Sequence, residues 1–253
     1  MSTYYAVAMF ILGTVIGSFL NVCIYRIPKE QSISYPPSHC INCNNYIKWY
    51  DLVPIVSYMF LKGRCRYCKE KISIRYPMIE FITALLFVAN YSVYGLTFDF
   101  IKYTTFIVFL IVIGMIDYDT TDVYFSTTLS GIVSGAIFIG VLTYNTFPVK
   151  SYIYGGILGG GFLALIILIT KGGMGWGDAE ICLMSGLFLG LKLTILMLFL
   201  SFIIGSISAL TFIILGKKSR KDYIPFGPYI ALSSMICVLA GEKIFSIYMS
   251  LIF

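Results

Sequence analysis

Residues 173–178 read Gly-Met-Gly-Trp-Gly-Asp, a glycine-spaced segment between two long apolar runs that ends in an acid. Glycines at 173, 175 and 177 allow a local break in helix and close backbone approach just before Asp178. A carboxylate at or inside a bilayer costs at least about 2.5–3.5 kcal/mol on insertion scales, so an acid placed there is read as functional. Outward from this segment the chain is apolar. Of its 253 residues 58% are hydrophobic, 17% aromatic and only 12% charged, with a mean hydropathy of +0.88. That composition excludes a soluble globular domain and predicts an all-α polytopic membrane protein.

A spanning helix needs about 20 largely apolar residues, or about 17 when upright. By that rule the chain divides into eight spans at roughly residues 4–25, 77–94, 101–116, 123–142, 152–170, 179–191, 193–215 and 224–245. The sixth is short, and its polar end is tolerable only if protein neighbours cover it. The N-terminus, Met-Ser-Thr-Tyr-Tyr, lacks a basic segment and no A-x-A-like cleavage site follows, so the first span reads as a retained helix.

The net charge of +6 is carried by loop lysines and arginines, which a membrane protein explains more simply than a nucleic-acid partner does. Placing residues 26–75 in the cytoplasm gathers Arg26, Lys29, Lys48, Lys62, Arg64, Arg66, Lys69, Lys71 and Arg75 on that side. With eight spans, Lys171, Lys217, Lys218, Arg220 and Lys221 join them, and Lys102, Lys150, Lys192 and Lys243 are left outside. This asymmetry obeys the positive-inside rule. It also brings Asp178 and a second acid cluster, Asp117, Asp119 and Asp122, to the cytoplasmic side.

Cys40-x-x-Cys43 and Cys65-x-x-Cys68 occupy the long polar segment, and two such knuckles about 20 residues apart have zinc-ribbon spacing. Four thiolates close a tetrahedral structural site, which supports a loop too small to bury a core of its own. Thiol redox chemistry competes with this reading, but it fits a reducing compartment poorly. His39 adjoins Cys40 and reads as an ordinary loop histidine; Cys23, Cys182 and Cys237 read as packing residues.

Two carboxylates that share a site cannot both ionise cheaply, so the pair holds one proton near neutrality. That state suits peptide hydrolysis, because the ionised member takes a proton from water while the other donates to the scissile carbonyl. Asp178 is the candidate from the glycine segment, since Glu180 points about 200° away on a helix. Asp117 is the candidate from the other cluster because it directly ends an apolar run, whereas Asp119 and Asp122 are spaced to share a solvated face. The alternative for all these acids is capping and solvation of helix junctions. Gly155-x-x-x-Gly159 and Gly156-x-x-x-Gly160 match close helix packing, and Trp176 an interfacial anchor. The run Pro225-Phe226-Gly227-Pro228 opens the last span.

Taken together, these segments resemble the type IV prepilin peptidases, Gly-x-Gly-Asp membrane aspartyl proteases, over nearly the whole length. Gly17-Ser18-Phe19-Leu20-Asn21-Val22 with Tyr25-Arg26-Ile27-Pro28 is similar to the family's first-helix signature. The two cysteine knuckles with Trp49-Tyr50-Asp51 and Arg75-Tyr76-Pro77 are similar to its cytoplasmic domain, and Gly175-Trp176-Gly177-Asp178 to its second acid motif. Many members continue the first acid motif to a hydrophobic-Pro-Asp or Pro-Asn turn; this chain has Asp122-Val123-Tyr124-Phe125 there. The resemblance implies a bacterial plasma-membrane enzyme with Asp117 and Asp178 as its catalytic pair. Such an enzyme cuts the basic leader from prepilins or pseudopilins at the cytoplasmic face, after glycine. It also implies N-methylation of the new terminus with S-adenosylmethionine. The expected organisation is a first transmembrane helix at 1–25, a small zinc-ribbon-like cytoplasmic insertion at 26–76 and a membrane protease domain at 77–253. Two other classes compete: an ion-coupled transporter whose acids carry protons, and a zinc-dependent membrane scaffold without chemistry.

Overall fold

The computed structural model describes residues 3–144, 149–216 and 224–252 and forms two compact units, Met1–Phe100 and Ile101–Phe253. The basic cluster Lys217, Lys218, Arg220 and Lys221 lies outside the described residues.

In the first unit, helix α1 (Thr3–Arg26) packs antiparallel on helix α3 (Arg75–Tyr94), and a short helix α2 (Val56–Phe60) lies in the segment between them. Small residues set the distance. A Cβ on Gly13 would lie 2.5 Å from the Ala84 Cα, and one on Gly17 would lie 2.7 Å from the Glu80 Cα. One turn further, Asn21 donates its side-chain amide to the Tyr76 carbonyl at 3.1 Å. Positions 13, 17 and 21 thus meet 84, 80 and 76, a four-residue stripe that lets the two backbones touch.

The second unit is built from α4 (Phe98–Thr120) from Ile101 onward, α5 (Phe125–Tyr144), α6 (Lys150–Ile169), α7 (Trp176–Ile214) and α8 (Gly227–Ile252). Among the described residues, seven helices are long and apolar enough to cross a membrane, α7 counting once. Helix α7 is nevertheless two spans. At Gly190 the backbone leaves helical geometry (φ 76°, ψ 168°). Cys182 and Thr194, on either side of it, both approach one point on α6: a Cβ at Gly159 would lie 2.5 Å from the Cys182 carbonyl oxygen and 3.2 Å from a Thr194 methyl. In a straight helix those residues stand about 18 Å apart. The chain therefore folds back at Gly190, and the eight-span reading holds, with the sixth and seventh spans joined directly. The sixth starts at Trp176 and is only about 20 Å long, shorter than the roughly 30 Å hydrocarbon layer. Its polar start is covered by protein, as Asp178 is 3% exposed.

Packing in this unit also runs through glycine. Gly155, Gly156, Gly159 and Gly160 of α6 face residues 179–191 of α7 so closely that backbone meets backbone. Phe106 of α4 stacks on Phe188 of α7 with ring centroids 4.7 Å apart, and both are fully buried.

Candidate active site

Asp117 lies in α4 one turn before its end, since the helix runs past the apolar stretch to Thr120. It is 2% exposed and its Oδ2 accepts the Gly227 N–H at 2.9 Å. Gly227 begins α8, so the Pro225-Phe226-Gly227-Pro228 run, whose purpose is opaque in sequence, delivers a backbone donor to Asp117. Any larger residue there would displace the carboxylate, because a Cβ would lie 2.5 Å from the Asp117 Oδ2.

Asp178 lies in the first turn of α7, after Gly175 at the N-cap with extended backbone (ψ 142°). Its Oδ2 is buried and has no hydrogen-bond partner among the described residues. Gly177 is needed because a Cβ there would collide with the Val123 side chain. Val123 packs the turn after α4 against the start of α7.

The two acids, 61 positions apart, open on one cavity of about 200 Å³ lined by Thr121, Asp122, Val123, Gly175, Trp176 and Gly177 besides themselves. Asp119 is exposed, and Asp122 sits exposed on the cavity wall just beyond α4. Glu180 is turned away and accepts the Thr128 hydroxyl at 2.5 Å. Trp176 is 58% exposed beside the cavity. The arrangement holds two carboxylates around a space large enough for water.

In the first unit the four knuckle cysteines converge, with all four Sγ atoms within 4.8 Å of one another, a group able to hold a metal ion. The two knuckles repeat one turn. The Cys40 and Cys65 N–H groups donate to the Asn45 and Glu70 carbonyls, and the Asn44 and Lys69 N–H groups donate to the carbonyls of Cys40 and Cys65. Asn44 and Lys69 both have positive φ, 55° and 60°. Backbone N–H groups aimed at sulfur favour thiolates at Cys43, which that of Asn45 draws down to about 7, and at Cys65, which that of Cys68 lowers, whereas Cys40, beside Cys43 and Cys65, is pushed up to about 11. Arg66 donates to both Asp51 oxygens at 2.6 and 2.7 Å and holds that carboxyl below the usual carboxylate range. His39 contacts the Pro37 carbonyl rather than the cluster.

The description "Bacterial Peptidase A24 N-terminal domain" matches residues 11–94, and "Type IV leader peptidase family" matches residues 104–210. A Bacillus subtilis (strain 168) protein named prepilin leader peptidase/N-methyltransferase is 32% identical over 247 residues, 96% of this chain and 97% of its own. A Neisseria gonorrhoeae protein of the same name is 32% identical over 263 residues, covering 92% and 90%. One from Pseudomonas putida is 29% identical over 280 residues, covering 98% and 95%. No solved structure matches the chain. Likeness along nearly the full length of such relatives, over a fold that buries two aspartates in one cavity, makes this chain a member of the type IV leader peptidase family.

Proposed function

We propose that the chain is a membrane aspartyl endopeptidase that removes the leader of type IV prepilins or pseudopilins, with Asp117 and Asp178 as its catalytic pair. The observation that carries this reading is the shared cavity: two buried carboxylates from α4 and α7 face it, and one keeps an oxygen free. Water held between them loses a proton to the ionised aspartate as its oxygen attacks the scissile carbonyl. The protonated aspartate donates to the carbonyl oxygen. Collapse of the tetrahedral species breaks the C–N bond, and the leaving amine takes a proton back from the pair. The Gly227 N–H holds one Asp117 oxygen in place through this exchange. The proton belongs to the pair, and either member starts as the base.

The basic-residue asymmetry supports a bacterial plasma membrane with the cavity on the cytoplasmic side, where a basic leader remains. Cys40, Cys43, Cys65 and Cys68 are proposed to hold a structural zinc ion. Tetrahedral Zn–S bonds of about 2.3 Å require Sγ atoms about 3.8 Å apart; Cys40 and Cys68 stand at 3.8 Å, and Cys43 and Cys65 at 4.0 Å. The names of the relatives support a second reaction, methylation of the new N-terminal amine, for which S-adenosylmethionine supplies the methyl group. The same names favour hydrolysis over an ion-coupled transporter or an inert scaffold.

The test is incubation of the purified protein with a prepilin and sequencing of the product's N-terminus. A single cut after the leader glycine is expected. An uncut prepilin, or equal cutting by Asp117→Asn and Asp178→Asn variants, would refute the assignment.

A further inference from the structure

A second and larger cavity, about 480 Å³, lies wholly in the first unit between α1, α3 and the segment joining them. Its size falls in the roughly 300–1,000 Å³ range of small-ligand sites, and peptide cutting as derived above does not use it.

Two ionisable side chains on its wall are buried without a counter-charge. Arg26, 7% exposed, donates to the carbonyls of Ser32 at 2.8 Å and Pro36 at 2.7 Å, and no carboxylate pairs with it among the described residues. A guanidinium has five N–H donors, so further donors remain. Glu80, 8% exposed, accepts the Ile55 N–H at 2.7 Å, and no cation pairs with it among the described residues. Ile55 is held at φ 61°, a costly conformation for a β-branched residue, and Glu80 anchors it. Burying an unpaired charge is costly. Here the cost falls on both signs in one cavity, which favours an occupant carrying an anion at one end and hydrogen-bond donors at the other.

The spacing of the two charges adds to this. Glu80 lies against Gly17, nine positions before Arg26, so the two groups are based about 13 Å apart along α1. That suits an elongated small molecule rather than a single ion. Tyr25, Tyr58 and Tyr76 line the same cavity and offer ring faces. A basic leader peptide would have to meet the Arg26 guanidinium, which disfavours it as occupant.

We propose that this cavity binds the methyl donor S-adenosylmethionine, with Arg26 on its carboxylate, Glu80 on its ribose hydroxyls and tyrosine rings against its purine. Guanidinium with carboxylate and acid with ribose are pairings that geometry favours elsewhere. The inference rests on the methyltransferase reading above. In the reaction the lone pair of the new N-terminal amine forms the N–C bond to the methyl carbon. The C–S bond pair stays on sulfur and neutralises its charge, and the amine loses one proton to solvent.

The test uses the full-length protein in detergent, with S-adenosylhomocysteine as the titrated probe and prepilin cleavage as the check of folding. Arg26→Gln and Glu80→Gln are each expected to weaken binding at least tenfold while cleavage, whose machinery contains neither residue, still proceeds. Unchanged binding in both variants would overturn the placement while leaving the methyltransferase reading intact. Wild-type protein that neither binds the probe nor methylates the product would overturn both. Slowed cleavage with unchanged probe binding would give the cavity to the peptide instead. Should a variant fail to accumulate, ultraviolet crosslinking of radiolabelled S-adenosylmethionine to the unaltered protein decides: adducts within residues 18–80 are expected, and adducts confined elsewhere overturn the proposal.

Discussion

Asp117 and Asp178 look alike in the sequence and differ in their surroundings: one accepts a backbone N–H, and the other keeps a free buried oxygen. Each Asp→Asn change removes half of a proton-exchanging pair, so we expect cleavage to fall by at least 10²–10⁴-fold while the protein still accumulates. Asp119→Asn, at an exposed position off the cavity, should leave the rate within about twofold. A time course of prepilin cleavage in membranes checks all three. Gly227→Ala is a sharper probe, because its Cβ would push on the Asp117 carboxylate at 2.5 Å. We expect at least a tenfold loss of cleavage with less change in thermal stability than a mid-helix glycine change brings. Asp117 was legible as a candidate because it ends an apolar run; the role of Gly227 was not, since a contact spanning 110 positions leaves no local periodicity.

Among the elements, the α6–α7 pair depends on glycines whose missing side chains are filled by the partner's backbone. Gly159→Val would set a side chain against the Cys182 carbonyl, where even a Cβ comes within 2.5 Å. Overpacking of this kind costs typically about 1–3 kcal/mol, and a lower melting temperature in detergent is the expected reading. The cysteine segment has its own pH dependence. Metal binding needs thiolates, and protons compete for the four sulfurs as pH falls. Asp51, depressed by Arg66, stabilises the segment above the ordinary carboxylate range, and that contribution is lost as pH falls through its lowered value. At pH 5 Asp51 stays ionised, so loss of thiolates is the effect that acts there. Dialysis at pH 5 should therefore strip metal that is retained at pH 8, as read by elemental analysis, and Cys40→Ser or Cys68→Ser should lose it at either pH.

For the molecule as a whole, the turn at Gly190 matters most, because it brings the chain back to the face of Asp178 and so lets α8 start where its Gly227 N–H reaches Asp117. An epitope inserted after Gly95 is expected to be reachable by antibody on intact cells, and one inserted after Lys62 only after permeabilisation. Exposure of the Lys62 epitope on intact cells would invert the topology and place the shared cavity outside.

Much of this was open to reading along the chain. Apolar run lengths foretold the spans, the cysteine spacing foretold the converging knuckles, and basic residues set the expected orientation, because each follows from local chemistry counted over neighbouring positions. Tertiary structure alone decided what depends on distant partners: that Val123 rests on Gly177, that the Gly227 N–H reaches Asp117, and that Asp119 is left out of the cavity. It also decided that Arg26 and Glu80, ordinary charges at the ends of apolar runs, are buried on the wall of one cavity. The physical reason is that burial and hydrogen-bond partners are properties of packed helices, and packing joins residues that sequence order keeps far apart.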